Sequence, residues 1–438
     1  MNNWDFLELV VEHLFPFIFS FLCAIVSYWL LLKRYYVSLI DPLFISMAAS
    51  SIGFSVVLFM YIERAIELNY LLSYLCTQSA FLFAFITIGR GKFVLVRTVH
   101  FKDEDIFNKI LLFVSSLCYI IFQLLLYWTK GIPLFMESRL ELFTDSAGGG
   151  FIARVLDVSG IVVLYLLFYF FCIKKTKGLF RTYLFIVLFF VFISYVLTGS
   201  KSAFLSIPFV AFVFILSTPE LISKRNNHSI LRKYDRKILL FSISIVVLLF
   251  VVRNGGSFIE GFVSFLSRIL GYGDVYWYAY PNGCIESLND DSPFKALFLD
   301  FLGVTRIYEW KDLPHVLGID LYLMHHDTDV LQGPNSRHNI FGYVYFGFYG
   351  SILFSSCLGF IVGVVRKALF SSSNFSIIIR IAIAYLYINV ASFETDIQLS
   401  LQKVDSMLLI YPILIISSVA CLYFVRLKIK NIEYYASN

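Results

Sequence analysis

The sequence predicts an all-α polytopic membrane protein of about eleven transmembrane helices, with one large loop between the eighth and the ninth. Three observations lead there. Apolar runs of about 17 to 25 residues recur along the whole chain, each long enough to cross a hydrocarbon core of about 30 Å as a helix. Of the 438 residues, 59% are hydrophobic and only 15% are charged, against about 25% charged in a soluble domain. Finally, the runs do not alternate: residues 161–173 are continuously apolar, whereas a transmembrane β-strand alternates over about ten residues. An ordinary soluble enzyme is excluded, and helices remain as the structure that satisfies every backbone group inside lipid.

The spans read, in order, as residues 14–32, 42–62, 71–89, 110–128, 155–173, 183–197, 202–217, 238–252, 340–365, 376–393 and 407–425. The first follows Asp5, Glu8 and Glu12 and closes at Lys33-Arg34 without a small-residue cleavage site, which argues against a cleaved signal peptide. The sixth and seventh are short and meet at the polar corner Thr198-Gly199-Ser200-Lys201-Ser202. Cys23, Cys76, Cys118, Cys172, Cys357 and Cys421 fall inside apolar runs and Cys284 stands alone in a polar loop, so neither a disulfide framework nor a zinc site is implied. The chain divides into spans 1–8 (residues 1–252), the large loop (253–338) and spans 9–11 (339–438).

Lysine and arginine orient the chain, because basic short loops stay on the cytoplasmic side. Lys33 and Arg34, the group Arg90 to Lys109, Lys174 to Arg181, Lys224 to Lys237, Arg366 and Lys367, and Arg426 to Lys430 all fall in alternate loops. That set is expected to be cytoplasmic together with the C-terminus, which leaves the N-terminus and the large loop outside. Basic residues spread over separate short loops do not make a nucleic-acid surface. Within the loop, Phe258, Phe262, Phe265, Leu266 and Ile269 recur at helical spacing, and 294–302 is a second apolar stretch. Both either lie along the membrane surface or form the loop's own small core.

Charge on the outer side of so apolar a chain needs a reason. Arg139, Arg154, Arg253, Arg268, Arg306 and Arg337 are the candidates, with Lys201 a further outer-face cation. Arg337 has the most informative setting, since Gly333-Pro334-Asn335-Ser336-Arg337-His338-Asn339 opens the ninth span with Ser336 as the expected N-cap. Guanidinium at a helix N-terminus suits an anion, and diphosphate is the anion expected, because paired charge-assisted hydrogen bonds meet charge that grows as its bond breaks. The alternative is that each arginine pairs with a carboxylate or reaches lipid phosphate. His338 serves as a general base or merely hydrogen-bonds substrate or backbone. His325, His326, Asp327 and Asp329 lack helical ligand spacing, and metal binding is not expected there. Tyr272, Tyr276, Trp277 and Tyr280 either stack on sugars or, as aromatic residues near a membrane more commonly do, pack the loop or join the interfacial belt.

The stretch from Gly333 through His338-Asn339-Ile340-Phe341-Gly342-Tyr343 to Gly347-Phe348-Tyr349-Gly350 resembles the segment after the large periplasmic loop in Wzy-type O-antigen polymerases. The corner around Lys201, where many relatives carry arginine, and Gly131-Ile132-Pro133-Leu134 followed by Arg139 are similar too. O-antigen ligases carry a similar His-Asn followed by glycines, but Gly347 and Gly350 follow here at tighter spacing, which favours polymerase. The resemblance extends over nearly the whole layout. It implies a GT-C-like, metal-independent glycosyltransferase on the periplasmic face of the bacterial inner membrane, without a cofactor. Both substrates would be oligosaccharides on undecaprenyl diphosphate, and a chain-length regulator and a flippase would be partners. In that picture Arg337, Arg253 and His338 are catalytic, while Arg139, Arg268, Lys201, Arg154, Arg306 and Asn339 bind substrate. A lipid-linked oligosaccharide flippase is the rival reading, and its charges should line a cavity at mid-membrane.

Overall fold

In the computed structural model, residues 1–89, 104–136, 149–198, 201–218, 237, 240, 244, 247, 264, 267–288, 292–328 and 332–436 are described. Among them every regular element is helical, and eight helices are long and apolar enough to cross a bilayer. The longer described helices are α1 (Asn3–Glu12), α2 (Leu14–Leu32), α3 (Pro42–Ile62), α4 (Leu68–Ile88), α5 (Glu104–Lys130), α6 (Gly149–Phe168), α7 (Leu179–Leu197) and α8 (Lys201–Ser217). Short helices α9 (Asp274–Ala279), α10 (Pro293–Leu297), α11 (Leu299–Val304) and α12 (Leu317–Leu323) follow in the loop, then α13 (His338–Ser371), α14 (Ile377–Val390) and α15 (Ile397–Ala436). The expected eighth span and the stripe Phe258 to Ile269 lie almost wholly outside the described residues. The 294–302 stretch is two short helices, α10 and α11, broken at Phe298.

Two compact units divide the chain. The first comprises Met1–Phe93, Asn226–Ala368 and Tyr387–Gln402. Its centre is α3, of which 67% of the apolar window is buried against 22% for α2. The reason is composition: Ala49, Ser50, Ser51, Gly53 and Ser55 are small enough for other backbones to come close. Ser51 and Ser55 donate to the carbonyls of Ala48 and Ile52, so their hydroxyls carry no unsatisfied cost. Loop residues enter the space this opens. Gly273 lies against Val56, where a Cβ would meet the valine at 2.6 Å, and Gly53 faces Tyr276 and Arg337. Tyr276, Trp277, Tyr278 and Tyr280 are at most 3% exposed; Trp277 stacks on Phe6 at 4.1 Å and donates to Asn3. These aromatics therefore pack the loop onto the spans.

The ninth span departs from expectation. Gly347 has φ 66° and ψ −175° inside α13, a conformation open to glycine and costly for any side chain. The chain reverses there. His338 Nδ1 lies 2.9 Å from Ser355 Oγ, and the rings of Phe341 and Phe354 are 5.6 Å apart. A straight helix would separate residues 338 and 355 by about 25 Å. Residues 338–346 thus form an arm of about 13 Å, folded back on the long helix that follows. Ser336 does not cap it either: the Ser336 hydroxyl donates to Gln398 at 2.7 Å and the helix begins at His338.

At the other end of this unit, Arg366 donates to Asp41 at 2.9 Å, and Tyr387 donates to the same carboxylate at 2.5 Å. Asp41 also caps α3 through the Leu43 N–H, so the buried charges are matched by several hydrogen bonds, as burial requires.

The second unit comprises Val94–Arg225, Leu369–Leu386 and Lys403–Asn438. Here Gly160 of α6 lets the Tyr119 ring of α5 approach, and Tyr119 reaches Ser194 of α7 at 2.7 Å. Tyr165 of α6 meets Ser217 of α8 at 2.6 Å. Arg154, buried in α6, stands one turn before Asp157, whose carboxylate feels the charges of Lys403 and Arg154.

Candidate functional site

The site grows from two glycines. Gly318 and Gly333 lie backbone to backbone: a Cβ on Gly318 would collide with the Pro334 carbonyl, and one on Gly333 with the Gly318 carbonyl. That approach fixes the segment leading to Ser336. Gln398 ties it further, accepting from Ser336 Oγ at 2.7 Å and Leu317 N–H at 3.2 Å while donating to the Ala296 carbonyl at 3.0 Å. Three consecutive polar residues, Arg337, His338 and Asn339, are then delivered into the first unit at no more than 3% exposure.

Arg337 donates to Ser50 Oγ and the Ala49 carbonyl, each at 3.1 Å, and to the Tyr272 carbonyl, and it lies over the Tyr276 ring at 5.6 Å. Asn339 accepts from the Tyr276 hydroxyl at 2.7 Å and donates to Thr77 at 3.1 Å and Gln78 at 3.3 Å. Gln78 in turn donates to Glu394. These partners stand near the middle of α3 and α4, so the cluster lies at mid-span level rather than at the outer rim.

Glu394 sits in the turn after α14 and is wholly buried, and its second carboxylate oxygen has no hydrogen-bond partner. Burial pushes its carboxyl up to about 7; the Ser50 hydroxyl, the Arg337 charge and the Gln78 amide restrain the rise. A carboxyl poised near neutrality inside a polar cluster can exchange a proton under physiological conditions. His338 stacks on Phe81 at 4.9 Å, and its Nε2 is buried without a partner.

Arg268 lines a narrow cleft with Gly271, Tyr272, Asp274, Gly333 and Asn335. Asp274 is half-buried there, and desolvation pushes its carboxyl up to about 7 against the opposing pull of Arg268 and Arg337. The other candidates disperse. Arg306 occupies an exposed turn with φ 59°, Arg154 belongs to the second unit, and Lys201 opens α8 of that unit. Arg139 and Arg253 lie outside the described residues. His325 and His326 hydrogen-bond to Tyr278, Asp329 is not described, and among the described residues no group of three or more His, Cys, Asp or Glu converges.

Sequence reasoning reached Arg337, His338 and Asn339 and missed Glu394, Asp274 and Gln78. For Glu394 a signal existed: a carboxylate directly after an apolar span is costly unless it has a task. Gln78 gave none. Comparison with family models, with curated proteins and with solved structures finds no match to this chain.

Proposed function

We propose that the chain is an O-antigen polymerase of the bacterial inner membrane, a glycosyltransferase that joins saccharide repeat units carried on undecaprenyl diphosphate. The observation that carries this reading is the buried run Arg337-His338-Asn339, linked through Gln78 to the buried Glu394 carboxyl. Glycosyl transfer between two lipid-diphosphate substrates needs a proton acceptor and fixed positive charge, and this cluster supplies both. The acceptor hydroxyl attacks the donor's anomeric carbon and gives its proton to Glu394. The bond to the diphosphate breaks, and undecaprenyl diphosphate leaves with the electron pair.

Arg337 already has protein acceptors, so it serves as a fixed charge behind the reacting atoms. Arg268, exposed at the cleft, contacts diphosphate oxygens, with Arg253 and Arg139 proposed to join it. The large loop and the N-terminus face the periplasm and the C-terminus the cytoplasm; a chain-length regulator and a flippase are partners. Purified protein given the lipid-linked repeat unit, with a chelator present, should produce a ladder of polymer; release of no product longer than one unit rejects the reading.

A second reading, a lipid-linked oligosaccharide flippase, is favoured by the mid-span position of Arg337 and Glu394. A deletion strain separates the alternatives. Loss of a polymerase leaves lipid A capped with a single repeat unit, loss of a flippase leaves none, and loss of a ligase leaves polymer stranded on undecaprenyl diphosphate.

A further inference from the structure

A wider cleft belongs to the first unit and is not part of the cluster above. It encloses about 630 Å³ and is lined by Ser287, Lys311, His315, Asp320 and Tyr345, with leucines and Met324 between them. That volume falls in the range of small-molecule sites, about 300–1,000 Å³. Two features tie it to the site. Tyr345 is on the same arm as Asn339, six residues on, a rise of about 9 Å, and close to the Gly347 reversal. The opposite wall, α12, is anchored through Leu317 N–H to Gln398, which also holds Ser336.

The lining has a definite chemistry. Leu313, Leu317, Leu323, Met324 and the Tyr345 ring offer apolar surface, while Asp320 accepts, Lys311 donates and the Ser287 hydroxyl, whose own proton goes to the Cys284 carbonyl at 2.8 Å, accepts. His315 Nδ1 stands 3.2 Å from Asp320 Oδ1 and orients that carboxylate; Lys311 pairs with Glu309 at 2.8 Å and lies exposed at the rim. A pyranose ring presents C–H faces and a girdle of hydroxyls, which this alternation of apolar floor and polar rim matches. A polyprenyl chain would leave the polar rim unsatisfied, and a bare diphosphate would meet Asp320.

We propose that this cleft binds the saccharide of the acceptor repeat unit, the ring contacting Tyr345 and the leucines and the hydroxyls bonding to Asp320, Ser287 and Lys311. The proposal rests on the glycosyl-transfer reading. The test uses the full chain in lipid nanodiscs, with the repeat-unit oligosaccharide, freed of its carrier, as a saturation-transfer NMR probe. Polymerisation of the lipid-linked unit is measured alongside. Wild type should bind the free oligosaccharide, and Ser287→Trp, which fills the cleft, should lose that signal. Asp320→Asn and Tyr345→Ala should raise KM for the lipid-linked unit at least about tenfold with kcat within about twofold, the pattern of lost substrate binding. An unchanged KM in both, or a binding signal retained in Ser287→Trp, overturns the cleft assignment. If wild type binds the oligosaccharide and makes no polymer, the glycosyl-transfer reading fails while the cleft stands as a saccharide site.

Discussion

At the scale of single residues, Glu394 sets the pH behaviour. Acting as a proton acceptor with its carboxyl near 7, it should make the polymerisation rate rise about tenfold per pH unit below neutrality and level off above it. Glu394→Gln should flatten that profile and lower the rate by about 10²–10⁴-fold; a variant that keeps the wild-type profile sinks the role. Arg337→Gln removes a charge that restrains the carboxyl, so the rising limb should move to higher pH. Stability runs the opposite way. A carboxyl that holds its proton more tightly folded than unfolded contributes fully below its ordinary 4.5 and loses that contribution as pH climbs to about 7. The melting temperature of wild type should therefore fall across that interval, and that of Glu394→Gln should fall less, the remaining slope coming from Asp274. The site was half legible in the sequence. Arg337, His338 and Asn339 announced themselves as consecutive polar residues at the mouth of an apolar run. Glu394 gained its meaning from Gln78, 316 positions away, and no local pattern encodes a pairing at that separation.

Among the elements, α13 makes the sharpest prediction. Gly342 and Ser351 lie side by side because the arm doubles back, the Cβ position of one 2.9 Å from the Cβ of the other. In a cysteine-free background, Gly342→Cys with Ser351→Cys should form a disulfide on mild oxidation, the two backbones easing apart by about 1 Å to the Cβ separation near 3.8 Å that the bond takes. A continuous helix would hold the pair about 13 Å apart, so absence of the cross-link would contradict the hairpin. Gly347→Ala should destabilise the protein by about 1–3 kcal/mol, read from the denaturation midpoint. Length and hydropathy located the spans well: 42–62 coincides with α3, and 71–89 and 183–197 fall within a few residues of α4 and α7. What they could not register is a reversal inside an apolar stretch. Gly347 changes direction without changing hydrophobicity, and the same residues read as one long crossing.

For the whole molecule, the many apolar helices establish a multi-pass membrane protein, and the proposed threading puts the large loop outside. Cys284 tests it, because the other cysteines sit in apolar helices. A membrane-impermeant maleimide applied to intact spheroplasts should modify Cys284, and labelling that requires lysis would reverse the orientation. The reversal at Gly347 also bears on how the protein is made. Polar backbone from Gln332 to Arg337 ends level with the middle of α3, where hydrocarbon offers it nothing to bond with. It can settle only where α3, α4, the turn holding Glu394 and the start of α15 with Gln398 already stand ready. Those last residues leave the ribosome after the loop does. Insertion of the greasy segments must therefore come first, with the loop closing down into the finished bundle as a late, post-translational act of assembly.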